Sequence, residues 1–341
     1  MYEYTTFSLL WGSFLQKFIK KSASLCFFAV TTYIILRYPR PSLSYALLGL
    51  NTWFQNMIPT LFPFMVLSGM MLRLGVSDQF AGLFRPLLYP FFRLKRSCLY
   101  CIVIGFLCGF PMGARITADL YRMGRITGEE ASFLLAFCNN IGPVFFMGYV
   151  LPFLPAQIPV FFYLLGMYGV PMLYGWFLRR FRYAHSICDT ETPQTAFRFQ
   201  TALCRKAESP CAQKPPAFAD ALDESVSSGL QSITKLGGYM IFFNLLNVLP
   251  QLAFTFLPSG ASVLRVPVCL LMEITSGIRI AGEAHPLMIL VFLQFGGISC
   301  IAQTLGMIAG TDLSIGTYTL HKLMQSAFAF AYYGALFHIF F

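Results

Sequence analysis

The sequence predicts an all-α polytopic integral membrane protein, built from two structural repeats whose broken, re-entrant helices meet near the bilayer midplane. Three observations carry this expectation. Of 341 residues, 57% are hydrophobic and only 11% charged, where a soluble domain carries about 25% charged residues. Two apolar runs stop before a span is complete, at Gly109-Phe110-Pro111-Met112-Gly113-Ala114-Arg115 and at Glu273-Ile274-Thr275-Ser276-Gly277-Ile278-Arg279. Similar short motifs also recur in the same order in both halves of the chain.

Apolar segments fall near 22–38, 43–72, 97–112, 131–152, 157–178, 236–257, 263–281, 286–309 and 317–341. They are too numerous for a single soluble core. The first follows Lys17, Lys20 and Lys21 and resembles a signal peptide. No small-residue cleavage site follows, and Arg37 and Arg40 do, so residues 1–42 read as a retained span with its juxtamembrane segment. Residues 43–178 form the first membrane repeat. Within it, 79–94 place Phe80, Leu83, Phe84, Leu87, Leu88, Phe91 and Phe92 at steps of three and four beside Arg85, Arg93, Lys95 and Arg96, which predicts a short interfacial helix. Thr127-Gly128-Glu129-Glu130 is a capping box ahead of the run that begins at Ala131.

Residues 179–219 change character. Arg179, Arg180, Arg182, Arg198, Arg205, Lys206 and Lys214 decorate a stretch without apolar period, which reads as a cytoplasmic linker by the positive-inside rule. Residues 220–341 form the second repeat. Leu61-Phe62-Pro63-Phe64-Met65 can be laid on Leu236-Gly237-Gly238-Tyr239-Met240, Gly113-Ala114-Arg115-Ile116 on Gly277-Ile278-Arg279-Ile280, and Phe137-Cys138-Asn139-Asn140-Ile141 on Phe295-Gly296-Gly297-Ile298-Ser299. The relation between the repeats, parallel or inverted, stays open at this level, as does the exact number of spans.

Leu99 to Phe110 is an uncharged run of 12 residues, about 18 Å of helix against a hydrocarbon core of about 30 Å. A helix that ends inside the bilayer has to end in protein or at a water-filled cavity. Paired interruptions of this kind point to a transporter's binding site. Gly109, Pro111, Gly113, Gly277, Gly296 and Gly297 are the expected helix-break residues, and Arg115, Asn139, Asn140, Glu273, Thr275, Arg279, Gln294, Ser299 and Gln303 the expected substrate-binding residues. Arg115 and Arg279 can each hold a carboxylate in a planar two-point contact, or serve as interfacial anchors that snorkel. Glu273 can carry a coupling proton or orient Arg279. The amides, like Ser299 and Gln303, can line a cavity or act as hydrogen-bonding glue between helices.

Enzyme chemistry has little support in the sequence, and none is expected. His185, His285, His321 and His338 are isolated, with no metal-ligand spacing, and neither a nucleophile elbow nor a phosphate-binding loop occurs. Cys98 and Cys101 form a CxxC that opens an apolar helix without a matching pair, which reads as packing. The Lys and Arg behind the net charge of +10 read as lying in loops and juxtamembrane helices, which suits anionic lipid headgroups, not nucleic acid. No cofactor or metal is expected. The partners expected are the bilayer, a small anionic substrate and a coupling ion, H⁺ or Na⁺.

Pro59-Thr60-Leu61-Phe62-Pro63-Phe64, the Gly109–Arg115 motif, Glu273-Ile274-Thr275-Ser276-Gly277, and Phe295-Gly296-Gly297-Ile298-Ser299 with Gln303 and Gly310-Thr311-Asp312 together resemble the YlbJ-type sporulation integral membrane proteins. These contain two nucleoside-recognition (Gate) domains. The resemblance covers about Asn51 to Phe330, apart from the linker; Arg115 stands where the family often has lysine. It implies a bacterial membrane transporter that exports dipicolinate from the mother cell toward the forespore, at the outer forespore membrane. The alternatives are a non-transporting scaffold for spore-envelope assembly and an ion-coupled nucleoside carrier.

Overall fold

The computed structural model describes residues 21–184, 186–187, 217–256 and 263–341. Most of the basic linker, including Cys204 and Cys211, lies outside the described residues. The described residues are helical without strands, in an all-α polytopic arrangement. By length and apolarity alone four helices can cross a membrane: Val160–Phe181, Phe218–Thr255, Pro286–Ile308 and Ile315–Phe340. A bent pair among the described residues, Pro39–Arg73 with Ser77–Phe92, turned by 104°, makes a fifth if its two members form one span.

After a helical stretch at 21–37, the first half begins with α1 (Pro39–Arg73), which passes through a π-helical turn at Trp53–Met57. The turn places the Trp53 indole against Gly237, and its Nε1 donates to the Ile233 carbonyl at 2.8 Å. Next comes α2 (Ser77–Phe92), which exposes Leu83, Leu87 and Phe91 while burying Leu88 and Phe92.

A helical hairpin follows. α3 (Arg96–Cys108) and α4 (Met112–Arg122) fold back on each other around Gly109–Pro111, and the Cys101 Sγ lies 2.9 Å from the Thr117 hydroxyl across the pair. α5 (Gly128–Phe137) starts at the expected capping box: Glu130 N–H donates to Thr127 Oγ1 at 3.2 Å, and Thr127 N–H to Glu130 Oε2 at 2.7 Å. It stops at Cys138. After an extended stretch the path resumes as α6 (Pro143–Phe153), and α7 (Val160–Phe181) returns.

The second half has the same order. α8 (Phe218–Leu246) is a 29-residue helix, beginning well before the apolar run at 236–257 because its polar first turns remain helical. After α9 (Val248–Phe256), a second hairpin pairs α10 (Arg265–Met272) with α11 (Ile274–Ala281) around Glu273. A broken helix follows, α12 (Pro286–Phe295) and α13 (Gly297–Ile308), then α14 (Ile315–Phe340).

Contacts at the helix ends settle the relation between the halves. α1 and α8 run antiparallel: Gly49 lies against Met240 and Asn244, and Gly69 against Ser225, while Arg73 pairs with Glu224 at 2.9 Å. The end of α4 sits at that same end of the bundle, where Arg122 donates to the Met307 and Ala309 carbonyls at 2.8 Å each, beside the end of α13. The 29 residues of α8 extend about 43 Å and carry the chain to the opposite end. From there the α10–α11 hairpin enters and returns. The α3–α4 and α10–α11 hairpins therefore enter from opposite ends, and the two halves are inverted with respect to one another.

This arrangement generates a topology prediction. Cysteines placed by Met123→Cys, between α4 and α5, and by Glu283→Cys, between α11 and α12, are expected to react with a membrane-impermeant thiol reagent from opposite faces. Peptide-resolved mass spectrometry of labelled cells and of inverted vesicles reads this. Labelling of both from one face would contradict the inverted arrangement.

Candidate functional site

A helix that stops in a low-dielectric interior leaves amide and carbonyl groups needing partners, and the site is assembled from the ways these are met. At the tip of the first hairpin Gly109 adopts φ +87°, and a Cβ there would stand 2.2 Å from the Gly142 amide nitrogen. Only glycine serves both the left-handed backbone and that close approach. A Cβ on Gly113 would meet the Cys138 carbonyl oxygen at 2.3 Å. The break between α5 and α6 thus lies directly on the hairpin. Asn139 fastens it: its Oδ1 accepts from the Ala114 amide at 3.3 Å, and its Nδ2 donates to Thr304 Oγ1 at 2.9 Å and Tyr318 Oη at 3.1 Å.

The tip of the second hairpin is a single residue. Glu273 is extended, with φ −149° and ψ 122°, and is the N-cap of α11. Its Oε2 accepts from the Thr275 hydroxyl at 2.5 Å, the Ser276 amide at 2.9 Å and the Ser276 hydroxyl at 3.2 Å. A carboxylate on a helix N-terminus is favourably placed with respect to free N–H groups and dipole.

The two tips face one small cavity of about 50 Å³. Phe110 and Cys108 come from the first hairpin, Glu273 and Thr275 from the second. Thr60 and Phe64 of α1, Leu236 and Met240 of α8, and Cys300 and Gln303 of α13 complete much of the wall. A mostly apolar wall with a few convergent polar groups is the usual form of a small-molecule site, although the enclosed volume here is far below the about 300–1,000 Å³ of such sites. Glu273 is the only Asp, Glu, Lys or Arg among the described residues lining it.

The structure separates the residues singled out in the sequence. Glu273, Thr275 and Gln303 line the cavity, and Ser299 accepts from Gln303 Nε2 at 3.0 Å just behind it. Asn139 and Gln294 are ties between helices; Gln294 Nε2 donates to the Met167 carbonyl at 2.8 Å, where a π-helical turn at Leu165–Gly169 interrupts α7. Asn140 accepts from the Lys322 ammonium at 2.7 Å.

Neither arginine reaches the cavity wall. Arg115 is buried against α8, its Nη2 donating to Ser228 Oγ at 2.8 Å and its Nε 3.7 Å from Asp119. Arg279 is exposed on the outer face of α11. The helical turn that buries Ile278 directs Arg279 away.

The break positions sharpen as well. Gly296 and Gly297 interrupt α12–α13 with φ +85° and +76°. Gly113 and Gly277, expected at breaks, lie inside helices, where the missing Cβ serves close packing; one on Gly277 would come within 2.5 Å of the Leu270 Cα. The second break falls at Glu273 instead.

One residue was missed entirely. Lys322 is fully buried, and its Nζ lies 4.9 Å from the centre of the Phe110 ring. A lysine inside the apolar run 317–341 was the available signal. Among the described residues no group of three or more His, Cys, Asp or Glu is placed to hold a metal ion.

Two re-entrant hairpins and two broken helices around an internal cavity define an all-α polytopic integral membrane protein. The chain is similar to the sporulation integral membrane protein YlbJ of Bacillus subtilis (strain 168), 24% identical over 331 residues that span 89% of this chain and 79% of that protein. This similarity supports a YlbJ-type family. No family model matches the chain, and no solved structure does.

The capping role of Glu273 is testable by stability. Glu273→Ala removes the side chain that holds the first turn of α11 and is expected to cost about 1 kcal/mol, a fall of about 2–4 °C in Tm. Glu273→Gln retains an acceptor and should lose less. Thermal unfolding of the detergent-solubilised protein distinguishes them, and equal Tm values for all three proteins would remove the cap from the account.

Proposed function

We propose that the protein is a carrier for a small organic anion, with dipicolinate moved from the mother cell toward the forespore across the outer forespore membrane as its substrate and setting. The observation that carries this reading is the meeting of two oppositely entering hairpins at one internal cavity. Helices broken at a central site, in halves of inverted topology, are the architecture through which secondary transporters expose a site to either face in turn. The similarity to a protein named for sporulation supports the setting; the substrate comes from the motif resemblance. A scaffold with no transported ligand calls for broken helices packed shut; the cavity between the tips, about 50 Å³, has room for a few waters, so the carrier reading requires the tips to part when the anion binds.

Glu273 is the candidate coupling residue. It is 1% exposed and lies at the wall. A carboxylate beside a bound anion raises that anion's energy, and a proton taken up there relieves it. Proton and anion then travel together.

A second reading has its own observation. The wall presents Phe64, Phe110 and Phe145 with the neutral groups of Thr60, Thr275 and Gln303, and no arginine. That is also the lining an ion-coupled nucleoside carrier calls for.

Purified protein in liposomes separates these readings. Labelled dipicolinate is expected to equilibrate across the bilayer and a labelled nucleoside not; the reverse result selects the nucleoside carrier, and flux of neither removes both. Glu273→Gln should keep dipicolinate binding while coupled flux falls. Arg279→Ala, away from the cavity, should leave both unchanged. Normal proton-driven flux in Glu273→Gln would take the coupling role from that residue.

A further inference from the structure

Behind the cavity wall sits a buried lysine with no carboxylate paired to it among the described residues. This is Lys322, in α14, 0% exposed. Its Nζ donates to Asn140 Oδ1 at 2.7 Å and to Gln325 Oε1 at 3.3 Å, and it lies 4.9 Å from the Phe110 ring centre. Phe110 lines the cavity and Lys322 does not. One aromatic side chain therefore stands between the ammonium and the empty volume.

The seat around Lys322 is built and oriented. Asn140 Nδ2 donates to the Phe137 carbonyl at 2.6 Å, and Gln325 Nε2 to the Ala136 carbonyl at 2.6 Å. Both carbonyls belong to the end of α5. With their NH₂ ends occupied there, the two amides turn their oxygens to the ammonium. Two neutral oxygens and a π-face partly replace the water that a buried ammonium loses. A carboxylate does so more completely, because a charge-assisted hydrogen bond is about twice as strong as a neutral one.

Phe110 is itself set on the tip of the first hairpin, over the Gly296 break; a Cβ on Gly296 would come within 3.0 Å of the ring. The ring thus rests between two interrupted helices, where a shift of either tip moves it.

We propose that Lys322 is the cationic group that receives a carboxylate of the transported anion, and that Phe110 is the ring the anion displaces to reach it. This deepens the carrier reading and rests on it. It names the ligand class as a small planar carboxylate, able to stack on the phenyl ring while its charge meets the ammonium. It also supplies the positive charge that the cavity lining lacks.

The competing role for Lys322 is a clamp on the α5–α6 break through Asn140. A clamp is indifferent to the charge of the ligand. The experiment measures equilibrium binding of dipicolinate and of pyridine-2,6-dicarboxamide, its uncharged analogue, to the purified full-length protein. Lys322→Gln is expected to weaken dipicolinate binding roughly 10–100-fold and to leave the diamide within about the error of the wild-type value.

Asn140→Asp is the second variant. It keeps the side-chain shape and sets a carboxylate against the ammonium, so it should produce the same selective loss even where Lys322→Gln folds poorly. Phe110→Ala should speed dipicolinate association several-fold in stopped flow. Wild-type binding of dipicolinate with equal losses for acid and diamide in the variants, or with no loss of either, overturns the proposal while sparing the carrier reading. Wild-type protein that binds no dipicolinate overturns both.

Discussion

Every peptide group freed where a helix stops in a low-dielectric interior needs a partner from elsewhere in the protein, and this constraint organises the molecule. The carbonyls released around the α5–α6 break show it best. Ala136 is met by Gln325, Phe137 by Asn140, and Ile141 by the Tyr168 hydroxyl at 3.1 Å. In the second half Asn247 reaches the Cys269 carbonyl at 3.4 Å and Ser276 Oγ at 2.6 Å, and the Tyr149 hydroxyl reaches the Thr275 carbonyl at 2.9 Å. These buried polar side chains answer the backbone first. Several that resemble ligand-binding residues in the sequence are employed this way.

The halves solve the same problem with different chemistry. The first hairpin turns on glycine and packs its neutral tip against a neighbouring backbone with no side chain between. The second turns on one acidic residue that caps its own helix. Their junction consequently has one stiff, close-packed wall and one wall with a titratable group. Most of the polarity of the cavity belongs to the second half, and the aromatic ring at the first tip closes it off from the lysine.

Much of this architecture is legible in the sequence because its signals are local. The capping box at Thr127 depends on four adjacent residues. The truncated runs at Gly109 and Glu273 depend on length, and both places are breaks. What is not legible is rotation about the helix axis. In a soluble helix the polar face marks the outside, whereas a helix between lipid and core is apolar on both sides. Arg115 and Arg279 occupy matching motif positions, yet one turns to Ser228 and the other outward. Gly277 fails as a break marker for a related reason: in tightly packed helices glycine marks contact as often as interruption. The polarity of the duplication likewise required the antiparallel contacts of α1 with α8.

The inverted arrangement has a consequence for motion. The two hairpins enter from opposite ends, so the second half has its orientation reversed. A pseudo-twofold axis in the membrane plane then relates the surroundings of one hairpin to those of the other. Any rearrangement that unseals the cavity past the first hairpin has a mirror counterpart past the second, made of corresponding helices moving in exchanged roles. The two rearrangements would meet different tips, glycine at one and glutamate at the other.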